Sequence, residues 1–242
     1  MCFNRDSYKT TKTILIISAL AIFVFIVGST TAIILEQKYN FNKQFLSELG
    51  VRYTPSSSAD STLRRALFPE VFNITLIVTG LLISPFFIGV YITLKPEKLI
   101  QKIFFLGTAV VGIFSGITLS LVGVFDLGYF YYAHMIVTGL FYMGAMVTSL
   151  LWGLGVIFLS KDSPYKMSKI WKIEPLTVSI IVGLGLITST FAQSYPEIFG
   201  FITLALYQKI FVYALFALMT LIIIRFFRLL KKEKLAKKVT SS

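Results

Sequence analysis

The sequence predicts an all-α, polytopic membrane protein: a six-transmembrane-helix bundle with both termini cytoplasmic. Three observations predict it. Six long apolar segments, at about 13–35, 71–94, 102–124, 132–159, 175–193 and 198–224, approach or exceed the roughly 20 residues needed to cross about 30 Å of hydrocarbon. Charged residues make up only 14% of the chain, against about 25% in a soluble domain. Finally, Lys and Arg crowd one side of the segments: Arg5, Lys9 and Lys12 before the first, Lys95, Lys98 and Lys102 in the second loop, Lys161, Lys166, Lys169 and Lys172 in the fourth, and Arg225 to Lys238 in the tail. The third and fifth loops carry none. The positive-inside rule then puts both termini in the cytoplasm, with the plasma membrane as the location.

The chain divides into a short N-terminus (1–12), a membrane domain (13–224) and a basic tail (225–242). The first segment has a basic flank but is too long for a signal-peptide core and lacks a small-residue cleavage site, so it reads as a retained helix. The polar stretch 36–70 is the one long external loop. Within it Phe41, Phe45 and Leu49 recur every four residues before Gly50, which predicts a short helix over 39–49 with those three side chains facing the bundle. Thr54-Pro55-Ser56-Ser57-Ser58 reads as a turn, and a second short helix is expected from Ser61 to Leu67.

Pro85 is expected to kink the second span, with Ser84 before it to satisfy a freed backbone group. The third span repeats small residues at Gly112, Gly116 and Ser120, the fourth at Ala145, Ser149 and Gly153, and the fifth at Ser179 with Gly183 and Gly185 with Ser189. Small residues four apart let helix backbones approach in lipid, so these are expected packing seams. Tyr129-Phe130-Tyr131-Tyr132 reads as an aromatic belt at headgroup level.

The net charge of +12 would suggest nucleic acid in a soluble protein. Here the cations flank membrane segments and meet anionic headgroups, and no basic module remains to bind nucleic acid. The single cysteine, Cys2, excludes an internal disulfide, and the single histidine, His134, excludes a multi-histidine zinc site. No metal site and no cofactor is expected. The expected partners are membrane lipids and a membrane protein.

Few residues remain that could carry chemistry. Asp126 ends the third span and His134 lies one turn into the fourth, across a short loop. A carboxylate beside an imidazole orients the ring and favours its cationic form, which suits proton transfer or phosphate binding, and equally ties two helix ends together. Glu48 and Asn73 stand at the same outer mouth, giving a candidate polar cluster of Glu48, Asn73, Asp126 and His134. Lys209 stands out inside the sixth span, beside Gln208. Counted from Ile198 it lies about 15 Å down, where an ammonium must face protein or water, or snorkel. Asp126 and Glu197 are its expected partners.

Ser47-Glu48-Leu49-Gly50, then Phe72-Asn73 with Leu76 and Gly80, then Gly123-Val124-Phe125 with His134 following, form a pattern that resembles domain-of-unknown-function family 998, a group of prokaryotic six-span membrane proteins. The resemblance covers roughly residues 13–225. Asp126 stands where that family shows a proline or an acidic residue. A more distant likeness to eukaryotic six-span proteins implies lipid handling by analogy and assigns no reaction.

These readings leave three functions. The first is a non-enzymatic membrane protein that binds lipid or a membrane partner. The second is a lipid-modifying enzyme with Asp126 and His134 as acid–base groups and Glu48 in support. The third is a small proton-coupled transporter with Lys209 on its pathway.

Overall fold

The structure is a computed structural model that describes residues 5–52, 65–94, 96, 98–158, 176–177, 180 and 204–240. Among them are five long helices: α1 (Arg5–Leu35), α2 (Pro69–Leu94), α3 (Leu99–Val124), α4 (Tyr131–Ile157) and α5 (Leu204–Thr240), with one 3-10 helix at Leu46–Gly50. No strand occurs among the described residues. Each of the five contains a stretch of at least 24 residues long and apolar enough to cross a membrane. The expected fifth span at 175–193 lies outside the described residues apart from Leu176, Thr177 and Ile180, which are helical. Cys2, Glu197, the turn at 54–58 and the small-residue pairs of the fifth segment also lie outside them.

Consecutive helices α1 to α4 pack as antiparallel neighbours, and α1 also packs against α5. One end of the bundle carries the 3-10 helix and the tight turn between α3 and α4, and is here the loop end. At the opposite end Thr11 of α1 bonds Thr93 of α2 at 3.1 Å, and the Gln101 amide of α3 donates to the Phe158 carbonyl after α4 at 2.9 Å. α4 runs away from the loop end. α5 begins at it, because Gln208 bonds the 3-10 helix, so α4 and α5 run in the same direction.

Lipid supplies no hydrophobic drive for helix association, so close packing must hold the bundle. The α1 face that packs inward repeats every three or four residues, at Thr11, Leu15, Ser18, Ile22, Phe25, Ser29 and Ala32. Its other faces present Phe23, Ile26 and Ile34 outward. The α2–α3 seam is tightest. A Cβ on Gly80 would stand 2.3 Å from the Gly116 carbonyl oxygen, and one on Gly112 would meet the Phe87 ring at 2.4 Å. The Ser120 hydroxyl, four residues on from Gly116, donates to the Ile77 carbonyl at 3.0 Å. The small residues of α3 thus form a seam against α2.

Three expectations are corrected here. Residues 36–45 form turns instead of a helix, and helical geometry is confined to Leu46–Gly50. Leu46 and Leu49 are buried, whereas Phe41 is exposed. The four-residue spacing failed because the Asn40 side chain accepts from the Asn42 and Lys43 amides, a local turn that competes with helix. Pro85 lies inside α2, and the Ser84 hydroxyl donates to the Gly80 carbonyl, not to the Leu81 carbonyl that proline leaves free. Of the second loop helix, only Arg65 to Leu67 is described, and it is not helical: Ala66 donates to the Val51 carbonyl and Leu67 to the Glu36 carboxylate.

Candidate functional site

Two polar groups and one apolar cavity system lie toward the loop end. The first polar group clasps the outer loop to the bundle. Lys209 is 1% exposed. Its ammonium donates to the carbonyls of Gln44 and, at 3.2 Å, Ala205. Tyr39 and Phe41 place their ring centroids 5.3 and 4.9 Å from the same nitrogen. Carbonyl dipoles and ring faces both attract a cation, so the loop supplies the solvation that the membrane withholds. Neighbouring Gln208 accepts from the Leu46 amide at 2.8 Å, and its side chain also bonds the Tyr142 hydroxyl on α4.

The Lys209 ammonium thus reaches toward the loop end and bonds backbone there, and it makes no ion pair with Asp126.

Glu48 closes this loop on itself. One carboxylate oxygen accepts from the Phe45 amide at 2.8 Å and the other from the Gln44 side chain at 3.1 Å. The first bond is the reaching-back half of a capping box, made here by an acidic residue three positions into a 3-10 helix. The Tyr39 hydroxyl donates to Gln44 at 3.1 Å. Burial, then the nearby Glu48 charge, push its pKa well above the usual phenol value. Asn73 secures the loop to α2 by donating to the Gly50 carbonyl at 2.9 Å. A Cβ on Gly50 would lie 2.1 Å from the Asn73 side-chain oxygen, so glycine there permits the close approach.

The second polar group joins α3 to α4. Asp126 is 1% exposed, and its Oδ1 accepts from the Gly128 and Tyr129 amides at 2.9 and 3.0 Å. This Asx-type turn sets the short connection. The His134 Nδ1 bonds the Phe125 carbonyl at 2.6 Å, with the Val122 carbonyl also beside the ring. Those carbonyls belong to the last turn of α3, which has no further helical amides to bond. Asp126 lies beside the imidazole, but no bond joins them, and Asp126 Oδ2 has no hydrogen-bond partner. No bond connects either residue to Glu48 or Asn73. The four candidate residues are thus split between two backbone-binding groups at the loop end. Among the described residues no three His, Cys, Asp or Glu side chains come together to hold a metal.

Sequence reasoning missed Gln44, Tyr39 and Tyr142. Gln208, an amide next to the odd lysine, was the signal that a polar contact lay there.

The apolar cavities lie below. One of about 40 Å³ is walled by the 3-10 helix (Leu46, Ser47), α4 (Thr138, Tyr142) and α5 (Gln208, Val212). A larger one, about 60 Å³, lies between α2, α3, α4 and α5. The two share Leu119 and Phe141 as walls. Across the α4–α5 side, rings bridge above and below the larger cavity: Tyr142 to Phe211 at 5.0 Å, Trp152 to Phe226 at 6.3 Å. Between those bridges α4 offers only Ala145, Thr148 and Ser149 as lining. Short side chains between long ones leave the space. Gly153 meets Leu176 instead.

At the loop end Tyr129, Phe130, Tyr131 and Tyr132 are all exposed, Tyr132 at 81%. With the five apolar helices they define an all-helical, multi-pass membrane protein. Within that class, a family model described as "Protein of unknown function (DUF998)" matches residues 19–225, and the chain belongs to that family. No curated protein and no solved structure matches the chain.

Proposed function

We propose that the protein is a non-enzymatic, six-span plasma-membrane protein with both termini cytoplasmic, and that its bundle binds membrane lipid. The observation that carries this reading is a division of labour. Glu48, Asn73, Asp126 and His134 each bond backbone groups of the loop and helix ends, while the bundle interior keeps apolar space. A lipid-binding bundle needs the second and is stabilised by the first. The parallel run of α4 and α5 supports a further crossing between them, at 175–193. The cations at Lys98 and Lys102 support the cytoplasmic assignment of the end opposite the loops.

The test is lipid retention. The protein is purified in mild detergent, and its bound lipid is measured by native mass spectrometry and by extraction. Stoichiometric lipid that survives detergent exchange is expected. Protein that emerges lipid-free and regains none from vesicles of phosphatidylglycerol and phosphatidylethanolamine would point to a membrane-protein partner instead.

One observation favours a second reading, a lipid-modifying site built on Asp126 and His134. Asp126 Oδ2 is buried without a partner, and the Asp126 charge acts on the His134 imidazole. Turnover of a lipid by purified protein, lost in Asp126→Asn, is its signature.

A further inference from the structure

Resting on the lipid-binding reading, we infer that the slot between α4 and α5 holds a neutral, chain-bearing lipid with a carbonyl acceptor, of the alkyl-quinone type, hydrogen-bonded to Thr148. Three observations meet. The two cavities share walls and together run from Thr138 to Trp152 along α4, about 21 Å at 1.5 Å per residue. That exceeds half the hydrocarbon thickness of a bilayer, about 15 Å; Leu119 and Phe141 wall both cavities and are the side chains that must turn aside for a chain to lie lengthwise.

The larger cavity is lined by Phe86, Phe87, Phe141, Trp152 and Phe216. Aromatic faces and edges accept a planar ring by stacking or edge contact.

Thr148 is 7% exposed, faces this cavity, and its hydroxyl has no partner. Thr75, Thr93, Thr108 and Thr220 bond the carbonyl four residues back, whereas Thr79 and Thr138 share the lack of a partner with Thr148, which alone of the three lines the larger cavity. An unpaired hydroxyl in hydrocarbon is costly. The ligand that repays it must bring an acceptor to this depth. Thr148 is the 18th residue of a 27-residue helix, so it sits about 6 Å past the helix midpoint. Phospholipid ester oxygens remain at the interface, out of its reach. A carbonyl on a mobile, uncharged head meets both demands. The open space is smaller than a ring, and Met219, an unbranched wall with three rotatable bonds, is the side chain that yields.

Trp152 provides the readout. The chain has two tryptophans, so in Trp171→Phe it is the sole indole, and quinones quench indole fluorescence. Decylbenzoquinone is titrated into this variant in phosphatidylglycerol vesicles. Saturable quenching is expected, with apparent affinity about tenfold weaker in Thr148→Val, the loss of one hydrogen bond. It should be abolished by Ala145→Phe and independently by Ser115→Leu, which fill the slot from opposite helices. Intact helicity and melting in at least one of these two guard against misfolding.

Quenching that rises linearly with quinone, or is indifferent to Thr148→Val, overturns the inference. So does saturable quenching by vesicles brominated on the phospholipid acyl chains in place of the quinone, which would identify an acyl chain as the occupant. Protein that retains lipid on purification, yet shows a silent Trp152, loses this inference while the lipid-binding reading stands.

Discussion

Lys209 on α5 donates its ammonium to the backbone carbonyl of Gln44, a residue 165 positions earlier in the outer loop. The charge that looks most out of place in the sequence is what fastens the loop to the last helix. The loop repays it with carbonyl oxygens and two aromatic faces.

Lys209→Met should therefore destabilise the protein. The aliphatic stem is kept, but the buried carbonyls lose a charged donor, at a cost of about 1–3 kcal/mol. A lower melting temperature is expected in detergent, with faster thiol labelling of a cysteine placed at Ser47. Unchanged melting and labelling would mean that the clasp contributes nothing.

Asp126 and His134 should separate by what each variant retains. Asp126→Asn keeps the Oδ1 acceptor of the turn and should melt close to the parent. Asp126→Ala removes it and should cost about 1–2 kcal/mol. His134→Ala uncaps the end of α3 and should cost a similar amount without changing the retained lipid. If His134→Ala leaves stability intact but empties the protein of lipid, the residue belongs to a binding site instead.

The α2–α3 seam gives a matched pair. Gly80→Ala puts a methyl group 2.3 Å from a backbone oxygen, and overpacking of that kind costs about 1–3 kcal/mol. Gly139 has nothing within 4 Å of the same position, so Gly139→Ala should be neutral or slightly stabilising through helix propensity. Equal melting of the two variants would show that α2 and α3 do not approach as described.

Sidedness is tested with Cys2 replaced by serine and single cysteines at Asn42 and Lys98. An impermeant thiol reagent on intact cells should label the first and not the second. The reverse pattern would invert the bundle in the membrane.

The sequence by itself determined the class and most of the helices. A run of apolar residues is a local property, and any such run in lipid must bond its own backbone, which leaves helix as the solution. The ends of α1 at Leu35 and α3 at Val124 coincide with the ends of the apolar runs for that reason. The small residues of α3 were legible as a seam, since four-residue spacing sets one face of one helix.

The tertiary structure decided the rest. Which helix receives that seam, that Asn73 holds the outer loop, and what solvates Lys209 all depend on pairs far apart in the chain. The turn at Asn40 displaced a helix that spacing alone favoured. The cavity beside Thr148 is invisible in sequence, because Ala145, Ser149 and Gly153 read there as a packing face. Only the distance that the Tyr142–Phe211 and Trp152–Phe226 ring contacts keep between α4 and α5 turns that face into a space.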